Sequence, residues 1–157
     1  MADGWGRILL EVVTPERSVL STEVDEVSAP GAQGYFGVLP GHTPLITTLG
    51  QGELSYRIGN QWEYLAITWG YAEVLPNKVV ILTETAEMAA EIDLERAERA
   101  KRRAEERLRQ WSTTVADIDF ERAAAALERA LIRLQVAQKR VGPGVLRQAE
   151  LRSRPPQ

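Results

Sequence analysis

The chain has 157 residues, of which 44% are hydrophobic and 26% charged, with a formal net charge of −3. Those figures suit one modest globular core, or a small core with a satellite. The absence of cysteine excludes a disulfide framework and thiolate metal sites, and fits a reducing compartment. Met1-Ala2-Asp3-Gly4-Trp5-Gly6 lacks the basic and apolar regions of a secretory signal, and no apolar run approaches the roughly 18 residues of a membrane span. The expectation is therefore no direct membrane insertion.

Short apolar runs come first. Ile8–Val13 is closed by Thr14-Pro15-Glu16, and Val19-Leu20 and the run 24–27 end at Ala29-Pro30-Gly31. The run 35–39 stops at Pro40-Gly41, and 45–48 at Gly50 and Gly52. Leu54, Tyr56 and Ile58 alternate with Glu53, Ser55 and Arg57, the period of a half-buried strand. Gly59-Asn60-Gln61 turns this strand into Trp62, Tyr64 and Ile67, which predicts a hairpin, and Pro76-Asn77 joins a second hairpin of 71–75 and 79–85. Eight or more short strands at about ten-residue spacing predict an antiparallel β-sandwich or flattened barrel.

Near Thr85 the character changes. Residues 1–86 hold four basic and ten acidic side chains, net −6, whereas 87–157 hold fifteen and twelve, net +3. Asp93 is placed to cap a helix in which Leu94, Ala97, Ala100, Ala104, Leu108 and Trp111 share one face. The segment 110–117 breaks the pattern. Asp119 can then cap a second helix with the matching stripe Phe120, Ala123, Leu127, Leu131 and Leu134, ended by Gly142-Pro143-Gly144. The expected organisation is a sandwich domain at 1–86, a C-terminal antiparallel two-helix hairpin at 87–140 and a disordered tail at 141–157. A seam this rich in alanine buries little area, so the hairpin should be marginal alone and capable of two arrangements, folded back or extended along a partner.

Catalytic machinery is not evident. His42 is the single histidine, no Gly-x-Ser-x-Gly elbow accompanies it, and no phosphate-binding Gly-x-x-x-x-Gly-Lys-Ser/Thr loop is present. Gly31, Gly34 and Gly37 lie among strands and read as turn or bulge glycines. A sequence pI near 5.3 and a Glu at nearly every helical turn argue against nucleic acid. The arginines are nevertheless ordered. Arg96, Arg103 and Arg107 fall within about 40° of one another on the first helix. On the second, Arg122, Arg129, Arg133 and Arg140 cluster roughly opposite the leucine stripe. Such faces are either solvated and held by i,i+4 pairs such as Glu95 with Arg99, or built to meet carboxylates or phosphates.

The run Gly34-Tyr35-Phe36-Gly37-Val38-Leu39-Pro40-Gly41-His42-Thr43-Pro44-Leu45 resembles the signature of the epsilon subunit of F-type ATP synthases. Glu11-Val12-Val13-Thr14-Pro15-Glu16, Trp69-Gly70-Tyr71-Ala72-Glu73-Val74, Val79-Val80-Ile81-Leu82, Ile92-Asp93-Leu94-Glu95-Arg96-Ala97 and Asp119-Phe120-Glu121-Arg122-Ala123 agree, in order, over residues 8–140. The resemblance implies a non-catalytic rotor subunit that couples proton flow to ATP synthesis and is not a homo-oligomer in function. Its sandwich would grip the gamma subunit and rest on the c-ring, with Gly41 and His42 at the rotor interface. Its hairpin would fold down or extend to the alpha and beta subunits. Extended, it would block ATP hydrolysis with the basic face Arg122, Arg129, Arg133 and Arg140. No cofactor is required.

Some members bind ATP as a regulatory ligand on the folded hairpin. The matching positions here are Glu87, Ile92, Asp93, Arg96, Ala97, Arg103, Arg129 and Arg133. The implied location is the cytoplasmic face of a bacterial inner membrane, or else the stromal side of a thylakoid membrane. The alternative function is a free-standing ATP-binding sensor. Three features depart from the family pattern. Tyr35 stands where an acidic residue is usual, the 110–117 connection is longer, and so is the tail after Arg140.

Overall fold

A computed structural model describes residues 6–110 and 117–139, except for the side chains of 117 and 118. Ten strands build the N-terminal body: β1 (Ile8–Val13), β2 (Ser18–Val24), β3 (Glu26–Gly31), β4 (Gly34–Val38), β5 (Leu45–Leu49), β6 (Gly52–Ile58), β7 (Gln61–Ile67), β8 (Gly70–Leu75), β9 (Lys78–Thr83) and β10 (Ala86–Met88). A 3-10 turn, Ala89–Glu91, leads to helices α1 (Leu94–Gln110) and α2 (Asp117–Lys139). The sheet runs β10-β7-β6-β3-β5-β8-β9-β1-β2, with β4 paired to β3. It wraps into a nearly closed sandwich because β2 comes back against β6.

Alternation explains the core. On β1 the side chains of Ile8, Leu10 and Val12 are fully buried, while their neighbours are only partly so. Val24, Val27, Val38, Leu54, Leu65, Val74, Val79 and Ile81 complete the same cluster from other strands. The expected hairpins form: β6 pairs β7 from Gly52 with Ile67 to Ile58 with Gln61, and β8 pairs β9 across the Pro76-Asn77 turn.

Four details differ from expectation. First, the sheet is not wholly antiparallel, since β1 lies parallel to β9 in the register Leu10 with Val79 and Val12 with Ile81. A parallel neighbour needs a long connection, and the intervening strands provide one. Second, Ala86–Met88 pairs with β7, so the sheet extends through Met88, past the 86–87 division. Third, α2 starts at Asp117, which places Asp119 inside the first turn and not at its cap. Fourth, the buried face of α2 is Ala123, Ala130, Leu134, Val136 and Ala137, whereas Phe120 and Leu131 are 43% and 45% exposed. Arg129 and Arg133 of α2 face the sandwich, which turns part of the leucine stripe outward.

On α1 the expected stripe is closer to the mark. Ala97 and Ala104 are buried and Ala100 and Leu108 half-buried, although Leu94 is exposed. The cap also forms: the Arg96 backbone N–H donates to Asp93 Oδ1 at 3.0 Å. Arg99 pairs with Glu95 at 3.6 Å, as the i,i+4 spacing predicts. Trp111, Arg140, Gly142-Pro143-Gly144 and the tail lie outside the described residues.

Candidate functional site: a cationic cleft beneath the hairpin

The hairpin is folded back on the sandwich. A second, smaller core of Ala66, Ala89, Ile92, Val136 and Ala137 joins β7, the 3-10 turn and α2. Polar ties flank it. Arg133 presents its fork to Glu87, with Nε 3.0 Å from Oε1 and Nη2 donating to Oε2 at 3.1 Å. Lys139 Nζ donates to Glu53 Oε1 at 2.7 Å and lies 4.6 Å from the centre of the Tyr64 ring. Gln51 Nε2 donates to Glu128 Oε2 at 2.9 Å, and the Arg129 guanidinium stacks over Trp69 at 5.7 Å. These four ties come from α2. Among the described residues no hydrogen bond or ion pair joins α1 to the sandwich.

Between α1, α2 and the β7–β10 edge lies a cleft of about 340 Å³. Its floor is Ala66, Ile67, Thr68, Thr85 and Glu87 from the sheet. Ala100, Ala104, Ala126 and Ala130 line the helical walls, and these small side chains leave the space open. Arg103, Arg107, Arg129 and Arg133 also line it, four cationic side chains against the single carboxylate of Glu87, with Arg103 and Arg107 reaching solvent. Arg133 is already matched by Glu87, whereas Arg103 and Arg107 have no ion pair among the described residues. The cleft is thus a concave, alanine-walled site with a surplus of positive charge, suited to a polyanion.

The eight residues expected at a nucleotide site divide evenly. Glu87, Arg103, Arg129 and Arg133 line the cleft; Ile92, Asp93, Arg96 and Ala97 do not. Ile92 is buried in the small core, Asp93 caps α1, Arg96 is exposed and Ala97 is fully buried. Arg107, Thr68 and Thr85 line the cleft without having been singled out for it. The Arg107 spacing did place it on the Arg103 face. The threonines offered no signal, because only the docking of the hairpin brings them to a site. Arg122 is exposed, while Arg129 and Arg133 are turned to the sandwich.

The other expected contact region is the turn after β4. Gly41 takes φ +84°, a conformation suited to glycine, and its N–H donates to Pro76 O at 2.7 Å. This bond ties the Pro40-Gly41-His42 turn to the β8–β9 turn. His42 is half-buried, with Nδ1 2.6 Å from Thr43 O. Nearby in sequence, Leu39 and Ile46 are 56% and 74% exposed. Tyr35 is also exposed, yet its hydroxyl accepts from the Glu53 backbone N–H at 3.0 Å. That hydroxyl therefore joins the β3–β4 hairpin to β6, the strand that meets Lys139 through Glu53.

Comparison with known proteins agrees with this architecture. Residues 7–89 match the family model for the ATP synthase delta/epsilon chain beta-sandwich domain, and 90–138 the model for its long alpha-helix domain. The chain is 56% identical over 131 residues to an ATP synthase epsilon chain of Syntrophotalea carbinolica, covering 83% of this chain and 94% of that one. It is 53% identical over 133 residues to the epsilon chain of Geobacter metallireducens, covering 85% and 95%. Its structure is similar to a chain in the mitochondrial ATP synthase of Euglena gracilis, solved with OSCP, F1 and c-ring. There the TM-score is 0.67 at 26% identity, over 78% of this chain and 76% of that chain. No helix among the described residues is long and apolar enough to cross a membrane. The chain belongs to the delta/epsilon family of ATP synthase subunits, among the epsilon chains.

Proposed function

We propose that this chain is a central-stalk subunit whose folded hairpin is a nucleotide-sensitive form of a movable brake. The sandwich grips the gamma subunit and rests on the c-ring through the Gly41-His42 end, at the cytoplasmic face of a bacterial inner membrane. The hairpin, when released, extends to the alpha and beta subunits and opposes ATP hydrolysis. ATP binds in the cleft as a regulatory ligand, with its phosphates among Arg103, Arg107 and Arg129, and holds the hairpin down.

The observation that carries this reading is the excess of guanidinium over carboxylate in the seam between the two modules. A ligand seated there touches both helices and the sheet. Binding therefore favours the folded form by linkage. Titration calorimetry of the full chain with ATP tests the site. Saturable binding that weakens in Arg103→Ala and Arg129→Ala is expected, and absence of heat up to millimolar ATP contradicts it. Co-purification with gamma and c subunits tests the rotor assignment. ATP binding without capture of either subunit points instead to a free-standing sensor.

A further inference from the structure

Arginine is a good anion ligand only if its long side chain is held in place, and the partner that holds it usually cancels its charge. The cleft resolves this conflict at one position. Arg133 is oriented by Glu87 but neutralised by it, and Arg103 and Arg107 are charged but lack an ion-pairing partner among the described residues. Arg129 is oriented by an aromatic face, its Cζ 5.7 Å from the centre of the Trp69 ring. A π-face attracts the guanidinium without supplying a compensating anion.

Trp69 is itself fixed through its backbone. The Trp69 carbonyl accepts from the Glu84 N–H at 3.0 Å, with Thr83 Oγ1 3.3 Å away. On its N-terminal side, the Thr68 carbonyl accepts from Thr83 Oγ1 at 2.6 Å, and Thr68 Oγ1 accepts from the Thr85 N–H at 3.0 Å. Thr68 and Thr83 are 8% and 4% exposed, so the bond between them is shielded from water. On its C-terminal side, a Cβ at Gly70 would overlap the Leu82 carbonyl, so only glycine permits this close approach to β9. The peptide segment is clamped on both sides, while Trp69 as a whole is 46% exposed and its ring lies beside Arg129 of α2.

We propose that Trp69 is a positioning residue of the cleft, a rigid aromatic seat that orients Arg129 toward a polyphosphate while leaving its charge uncompensated. The inference rests on the nucleotide reading of the cleft, and extends it to a residue that touches the ligand only through Arg129. Trp69→Leu is expected to weaken ATP binding by the full chain about two- to five-fold, the range of a half-exposed cation–π contact. Trp69→Phe should restore most of that loss. In an Arg129→Ala background Trp69→Leu should add nothing. Unchanged binding in Trp69→Leu, or an undiminished loss in the Arg129→Ala background, overturns the inference.

A ligand-free measurement separates it from the nucleotide reading. The Arg129 Hε proton resonance should be shifted upfield by the indole ring current and should lose that shift in Trp69→Leu. No shift in the unsubstituted chain overturns the seat whatever ATP does. A shift without ATP binding keeps the seat and overturns the nucleotide reading alone.

Discussion

The sandwich and the hairpin bury different kinds of side chain. In the sandwich Ile8, Leu10, Leu54, Leu65 and Ile81 are fully buried, and burying each such group contributes about 1.5–3 kcal/mol. Along the α1–α2 seam the deeply buried positions include Ala97, Ala104, Ala123 and Ala130, where each methyl contributes about 0.8 kcal/mol. Polar ties supplement the seam, yet the side chains of Glu87 and Lys139 are 36% and 37% exposed, and pairs in such settings contribute about 1 kcal/mol or less. One module is therefore held by area and the other by shape and a few charges. The difference shows how one chain can combine a firmly held module with a second one attached by much less buried area.

The largest expected effect tests the sandwich core. Leu54→Ala should cost about 2–5 kcal/mol and lower the thermal midpoint of the whole chain, read by circular dichroism. A much smaller effect, confined to the hairpin, would reverse the comparison. Arg133→Ala comes next: it strips Glu87 of its ion-pair partner and should weaken hairpin docking by about 1 kcal/mol. Limited proteolysis should then cut α1 and α2 faster, while the sandwich midpoint stays within a few degrees. Asp93→Ala should cost about 1 kcal/mol in the first turn of α1 alone, seen as faster exchange of its first amides.

The smallest effect belongs to Asp25, on the sandwich. The Gly59 N–H, donating at 2.6 Å, holds its carboxyl below the usual range, and Arg7 at 3.1 Å assists. A depressed folded pKa contributes stability above the unfolded pKa, and that stability disappears as pH falls through the folded value. Acid titration of unfolding should show a slightly shallower fall in Asp25→Asn, without any change in hairpin protection.

Much of this was legible in the sequence. Alternation in β6 and the turn residues at Gly59 and Pro76 located the hairpins, and the Asp93 spacing located the helix cap. The parallel β1–β9 ladder was not legible, because nothing local in either strand names a partner some seventy residues away. The orientation of α2 was hidden for another reason. Its leucine stripe suggested the buried face by hydrophobicity alone, but close docking on the sheet favoured the alanine face and drew Arg129 and Arg133 inward. The cleft was half visible: its charged residues lie on helical spacings, while Thr68, Thr85 and the Trp69 seat depend on a crossover between strands that only the fold creates.

Hydrogen exchange of the full chain, followed by mass spectrometry with and without ATP, tests the detachable hairpin most directly. Amides of α1 and α2 should exchange through openings that leave β1, β6 and β9 protected, and ATP should slow the hairpin amides selectively. Exchange of hairpin and sandwich in a single cooperative step, unaltered by ATP, would contradict it.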